Sequence, residues 1–474
     1  MFLKGFEQKN FCKIFLHEEM PHDLTYTMDA NNTTQRKSTL TSHGVNIAII
    51  VRRLNVKGGT QRQALSLAVE LKKRGHTVRV YTFLFDPASC YEELLQDMDV
   101  FSLGNSSLIG NDGVKRKCLP DRSFIARIFF SFHTLREENR MARELARHID
   151  TATDILNPHD QASYQVAYYA KKRLVGCIPS VWMMNDLPLR LFSYYRDREV
   201  GDVPQKDRLE TLILLSRKFF GWLIDQYEIR HFIKAQDAVL VLDNRDRTWA
   251  ERYFHKPARV VRSGISLSGF PYKESTDFPK GRMRVLMTGV FFPHRRFEDG
   301  IEALKILRDK GHDVSLTIIG KYNSQDPYFK KLCDTVRECE VENEVIFAGV
   351  AEEDNLARTY RAHDIFLFPS HLQSWGIAVF EAMASGLPVI VSKTSGAAEI
   401  LTHGVDSFLV EPKLPEEIAE SICRLIANPE LYHSMRKRGR AFVEKNISWT
   451  RYTDELEEIF ENVYRTHLKN PFPL

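Results

Sequence analysis

From Val45 onward the chain alternates short apolar runs with amphipathic stretches. VNIAIIV (45–51) is a short run rich in β-branched residues. QALSLAVELKKRG then places Leu65, Ala68, Val69 and Leu71 at helical spacing and stops at a glycine, and HTVRVYTF returns to strand character. The order repeats with DILNPH (154–159), the helical ASYQVAYYAKKRL and the strand-like IPSVWMM, then a long helical stretch through 208–235 and AVLVLDN (238–244). After ARVVRSGIS, the polar, Pro- and Gly-bearing SGFPYKESTDFPKG (268–281) interrupts the pattern as a linker would. A second set follows: MRVLMTG (283–289), DVSLTIIG (313–320), EVIFAG (344–349), DIFLFPS (364–370) and LPVIVS (387–392), with helices between. Strands that read as continuous apolar runs, separated by helices, belong to parallel sheets covered on both faces. The fold expected is α/β, with two facing doubly wound domains and a cleft between them. The boundaries are a flexible leader over 1–43, a first domain over 44–267, a linker over 268–282 and a second domain over 283–445. A terminal amphipathic helix within 446–474 is expected to pack back on the first domain.

Composition narrows this modestly. With 43% hydrophobic and 27% charged residues the 474-residue chain reads as a globular enzyme. A net charge of +4 gives no argument for a nucleic-acid partner. Seven cysteines without a CxxC pair argue against a disulfide framework or a zinc site and suit a reducing, cytoplasmic setting. The first twenty residues are broken by Lys4, Glu7, Lys9 and Lys13, so they lack the apolar core of a signal peptide. No apolar run has the length of about 18 residues that a membrane span needs.

Ligands of doubly wound sheets bind outside the carboxyl ends of the strands. Glycines gather there: Gly58 and Gly59 after the first strand, then Gly289, Gly320, Gly349 and Gly376. They let backbone N–H groups approach a ligand, and a helix starting behind such a loop offers partial positive charge to an anion. Neither a Walker-type loop nor a GxGxxG follows the first strand. FFPHRRFED (291–299) puts Arg295 and Arg296 at the end of the second domain's first strand. Adjacent arginines cannot both point the same way, but either could clamp a diphosphate, or pair with Glu298 and Asp299 instead. His159, just past a first-domain strand, could donate to or accept from a hydroxyl across the cleft. Asp97-Met98-Asp99 reads as a turn.

FLFPSHLQSWGIAVFEAMASGLPVIVSKTSGAAEI, together with GGTQRQALSLAVELKKRGHTVRV and RSGIS, resembles the motif series of the retaining nucleotide-sugar glycosyltransferases of family 4. These have the GT-B fold of two facing Rossmann-like domains, and the resemblance runs over roughly 44–465. It implies a nucleotide-diphosphate sugar as donor substrate, no metal or other cofactor, and transfer with retention of anomeric configuration. Glu381 would match the second glutamate of the family's E-x7-E pair, which holds the ribose hydroxyls. Arg295 or Arg296 would neutralise the diphosphate, and His159 would lie near the transferred sugar. Gly58, Gly59, Gly289 and Gly376 would meet the donor through their backbones, as would the Gly396-Ala397-Ala398 turn, which Glu399 closes. The chain departs from the pattern at Val290, where the family has an arginine, at Gln61, and at Gln373, where the first E-x7-E glutamate stands. An amide at Gln373 still hydrogen-bonds a sugar but carries no charge.

The acceptor expected is a glycan or a lipid-linked one, in polysaccharide or glycoconjugate synthesis at the cell envelope. The helical stripe Phe124, Ile125, Ile128, Phe129, Phe132 and Leu135 lies in a basic surrounding, and SRKFFGWLI (216–224) mixes basic and aromatic residues. Both allow peripheral contact with an anionic membrane at the inner face of the cytoplasmic membrane, although apolar stripes usually pack into a core. A catalytically silent nucleotide-sugar-binding protein, or a GT-B epimerase, stands as the alternative function.

Overall fold

A computed structural model describes residues 44–104, 124–174, 178–185, 219, 221–272, 278–350 and 353–469. The leader (1–43), the centre of the expected linker (273–277) and the start of the expected helix at 208–218 lie outside these residues. Two wholly parallel sheets carry the fold. The first has seven strands in the order β3-β2-β1-β4-β5-β6-β7, namely β1 (Asn46–Leu54), β2 (Thr77–Phe85), β3 (Asp99–Ser102), β4 (Ile155–His159), β5 (Val181–Met183), β6 (Ala238–Val241) and β7 (Ala258–Val260). The second has six in the order β10-β9-β8-β11-β12-β13, from β8 (Met283–Thr288), β9 (Val314–Ile319), β10 (Val345–Gly349), β11 (Ile365–Phe368), β12 (Val389–Ser392) and β13 (Phe408–Val410).

β1 is central to the first sheet, in register with β2 from Asn46↔Thr77 to Leu54↔Phe85 and with β4 from Ile47↔Ile155 to Val51↔His159. That pairing carries it beyond the apolar run through Arg52 and Arg53 to Leu54. Residues 47–51 are buried on both faces because helices cover both faces. The helices that matter below are α1 (Gly59–Lys73), α2 (Phe124–Arg147), α3 (Ser163–Arg173), α4 (Asn244–Phe254), α5 (Phe297–Asp309), α6 (Pro327–Glu338), α7 (Glu353–Ala362), α8 (Ile377–Ala384), α9 (Pro415–Ala427), α10 (Pro429–Asn446) and α11 (Trp449–Lys469). Asp97 takes a left-handed φ of 60°, the turn expected there, but Asp99 already belongs to β3. Within the long helical stretch expected before β6, Ile229–Ile233 forms a π-helical turn.

The apolar core does not divide at the linker. β1 and α1 side chains such as Ile49, Leu67 and Leu71 share one cluster with Phe366, Phe380 and Met383 of the second sheet's layers and with Tyr452, Leu456 and Phe460 of α11. Helix α11 lies along α1, where buried His76 meets Glu457 at 2.9 Å and Arg74 meets Asp454 at 2.7 Å. The side chains of 124–134, which carry most of the apolar stripe considered for membrane contact, are outside the described residues. Of the second stretch, Phe219, Trp222 and Leu223 are exposed. Among the described residues no helix is long and apolar enough to cross a membrane.

Candidate active site

The strand-end loops of the two sheets meet. In the second sheet, β8 ends at Gly289, whose φ of 151° suits glycine. A Cβ there would lie 3.2 Å from Arg295 Nε, so the bare backbone lets the arginine lie across it. The Arg295 guanidinium sits 6.0 Å from the centre of the Phe368 ring at the end of β11. Gly376 caps α8 with φ 74°, and a Cβ on it would come within 2.9 Å of the same Phe368 ring. Phe368 is thus a shared floor, and Gly289, Arg295 and Gly376 assemble around it.

Glu381 follows in the second turn of α8. Its carboxylate is only 3% exposed. Arg62 Nη1, from the first turn of α1 in the other layer system, donates to its Oε1 at 2.5 Å. Tyr360 Oη, from α7, donates to its Oε2 at 3.0 Å. Burial, and then the Glu381 charge, holds the Tyr360 hydroxyl well above its ordinary pKa, with Thr288 at the end of β8 also hydrogen-bonded to it. A buried carboxylate is costly unless paired, and Arg62 supplies the cation. Nothing in GGTQR singled Arg62 out beforehand: it is charged and one turn into a helix, and its partner lies 319 residues away.

Arg296 goes elsewhere. At φ 54° it is the cap of α5 and turns inward, where its guanidinium is held by Glu298 (3.1 Å) and by both carboxylate oxygens of Asp299. Its guanidinium is thus taken up by these two acids, while Val290, beyond the end of β8, has an exposed side chain. The pairing of the charges with each other wins because the helix start puts both acids within reach of a left-handed cap residue.

Glu399, exposed at the Gly396 turn, is engaged across the two domains. Its oxygens accept from the Asn244 backbone N–H (2.9 and 3.0 Å), the Asn244 side chain (2.9 Å) and Arg262 Nη2 (2.7 Å). Around it Ser374 Oγ donates to Asp246 Oδ2 (2.8 Å), Arg245 Nη1 to the Thr394 carbonyl (2.7 Å) and Trp375 Nε1 to the Ser263 carbonyl (3.1 Å). At the centre is Asp243, fully buried at the start of α4, which accepts from the Asp246 backbone N–H at 2.6 Å. Its carboxyl is pushed up to about 7, by burial first and the Asp246 charge second, against the pull of Arg245. This clasp escaped the sequence reading, although Asp243-Asn244-Arg245-Asp246 is a helix-start pattern.

Gly396 is pinned beneath it. Its N–H donates to the carbonyls of Gln373 (2.9 Å) and Ser374 (2.6 Å), and a Cβ would overlap the Ser374 carbonyl oxygen at 2.1 Å. Ala397 is fully buried and Ala398 half-buried. Gln373 therefore reaches the site through its backbone contact with the Gly396 turn, with its side chain half-buried. On the first-domain side Gly58 caps α1, Gly59 has open space where a Cβ would stand, and Gln61 Nε2 donates back to the Arg53 carbonyl at 3.1 Å.

His159 ends β4 fully buried. Asn157 Nδ2 donates to the Val181 carbonyl at 2.7 Å, which turns Asn157 Oδ1 toward His159 Nε2 at 2.8 Å. The imidazole therefore donates from Nε2, and Nδ1 is left as an acceptor without a hydrogen-bond partner. Burial lowers its pKa to about 3, so the ring is neutral. The sequence left donor and acceptor open; the neighbouring amide decides for an inward-facing, uncharged ring sealed from solvent.

Residues 57–268 match the family model described as Glycosyltransferase Family 4, and residues 270–442 that described as Glycosyl transferases group 1. An uncharacterized glycosyltransferase of Methanocaldococcus jannaschii is 31% identical over 181 residues, which is 37% of this chain and 44% of that protein, so the chain spans less than half of this relative. N-acetyl-alpha-D-glucosaminyl L-malate synthase of Bacillus anthracis is 28% identical over 317 residues, 66% of this chain and 75% of the relative. The crystal structure of Anabaena HepE in complex with UDP and glucose superposes with a TM-score of 0.64 over 88% of this chain and 99% of that one, at 16% identity, a likeness of fold. With the two models set end to end over two parallel sheets of that architecture, the chain has the GT-B fold and carries both glycosyltransferase domains.

Proposed function

We propose that the chain transfers a sugar from a nucleotide-diphosphate donor to a glycan or lipid-linked acceptor, with retention of configuration and without metal or cofactor, in cell-envelope polysaccharide or glycoconjugate synthesis. The observation that carries this is the assembly of Gly289, Arg295 and Gly376 around Phe368 with Glu381 one turn behind. Transfer builds negative charge on the leaving diphosphate, and preorganised donors there lower the barrier most. Arg295 offers a guanidinium and α8 the positive end of its helix dipole behind Gly376. The backbones of Gly58, Gly59, Gly289 and the Gly396-Ala397-Ala398 turn complete the lining, and Glu381 takes the ribose hydroxyls. His159, at the carboxyl end of β4, is the first-domain residue assigned to the neighbourhood of the transferred sugar. The acceptor lies against the first domain, and exposed Phe219, Trp222 and Leu223 suit contact with an anionic membrane at the cytoplasmic face.

The test has two steps. Stabilisation against thermal unfolding by UDP-, GDP- and ADP-sugars identifies the donor. Release of nucleoside diphosphate with that donor and a matched acceptor then falls by about 100-fold or more in Arg295→Ala, the loss expected when one preorganised charge-stabilising donor is removed. Glu381→Ala loses most transfer as well. Near-normal rates in both variants refute the assignment. Exposed Val290, in place of a second arginine, favours one other reading, a silent nucleotide-sugar-binding protein; stabilisation by a donor with no diphosphate release under any acceptor would establish it.

A further inference from the structure

We propose that Arg62 of the first domain is a positioning residue for the donor's ribose, so that the ribose site is completed only across the two domains. The inference rests on the reading of Glu381 as the ribose ligand. Arg62 approaches Glu381 Oε1 at 2.5 Å while its guanidinium lies 5.0 Å from the Tyr91 ring, and Tyr91 Oη in turn donates to the Gly58 carbonyl at 3.3 Å. The arginine is therefore held from behind by the glycine loop at the head of α1. Tyr360 occupies the other carboxylate oxygen at 3.0 Å. An ionised carboxylate has about four acceptor positions. Arg62 and Tyr360 take one on each oxygen, which leaves one on each, the number a vicinal diol needs for its two hydroxyl donors. Arg62 also gives this buried carboxylate a charged donor that fixes its orientation. Two consequences separate this from a plain structural ion pair. The loss on removing Arg62 falls only on ligands that carry the diol. It is also felt although Arg62 belongs to the opposite sheet from the helix that presents Glu381.

The experiment measures dissociation constants by calorimetry for UDP, GDP and ADP and for the 2′,3′-dideoxy form of each, on the full chain and on Arg62→Gln, Arg62→Lys and Glu381→Gln. The wild type prefers the natural form of the nucleotide it binds. Arg62→Gln reduces that preference by about tenfold, the scale of one charge-assisted hydrogen bond, with dideoxy affinity nearly unchanged, which also shows the variant folded. Arg62→Lys, which restores the cation, retains part of the preference. Equal weakening of both forms in Arg62→Gln, or an unchanged preference, overturns the role of Arg62. If Glu381→Gln keeps the full preference, or no diphosphate binds the wild type, the reading of Glu381 itself falls, and the inference with it. Loss of preference in Glu381→Gln but not in Arg62→Gln defeats Arg62 alone.

Discussion

Arg295 and Arg296 are neighbours that part at a left-handed turn, and chemistry follows the parting. Arg296 is nearly buried among Glu298 and Asp299, whereas Arg295 lies over glycine and an aromatic ring at the strand ends. Removing one partner of a buried ion group strands the other charges. Arg296→Ala is therefore expected to cost about 3 kcal/mol of stability, read as a clear fall in unfolding temperature, while Arg295→Ala leaves that temperature nearly unchanged. Equal destabilisation by the two would contradict the division of roles. The sequence offered both arginines on equal terms, because a dipeptide does not disclose which side of a backbone turn each side chain takes. It did offer Glu298 and Asp299 as competitors, and the competitors hold Arg296. Glu399 and His159 show the same limit: their residue types suit a sugar site, but the partners 137 to 155 residues away and the Asn157 amide two residues back that hold them cannot be read from the motif.

At the scale of elements the pattern was more legible. Parallel strands buried on both faces must be apolar throughout, so β1, β8, β11 and β12 stand out as runs. What ends each one was harder to read, because strand length depends on the partner, as Arg52 and Arg53 show. Helix α8 is apolar on nearly every side, and its one acid, Glu381, is buried with a cation that the helix does not itself contain. Its start depends on Gly376. An alanine there must hold φ 74° and press a methyl to 2.9 Å from Phe368. The left-handed conformation alone costs about 1–2 kcal/mol. Gly376→Ala should therefore lower the unfolding temperature and raise the KM for the donor together. A variant with normal stability and normal KM would show that the loop can be rebuilt without the glycine.

Across the whole molecule the two sheets are joined by the clasp around Asp243, invisible in sequence because its members come from distant segments. It has a pH dependence. Asp243 binds its proton more tightly folded, with a pKa near 7 against 3.8 for the free side chain. Between those values the folded state holds more protons than the unfolded one, so this group's contribution to stability is present below about pH 4 and is lost as pH rises through 7. Its facing groups are Asp246, Arg245 and Glu399. His159, lowered to about 3, acts oppositely and favours the fold more as pH rises from 3 to 6.5. Asp243→Asn keeps an N-cap acceptor but cannot ionise. Its unfolding temperature relative to wild type should climb steadily from pH 4 to pH 8; a constant offset would remove Asp243 as the titrating group.

The last helix described closes the layer over the first sheet. Tyr452, Leu456 and Phe460 of α11 fill the same core as Ile49 and Leu71. On a ribosome the first sheet, complete at Val260, emerges with that face bare and waits for the helix that begins at Trp449, so an early-made half must be shielded while the rest is made. The covering helix arrives after both sheets have been synthesised, and the order of translation makes domain one finish last.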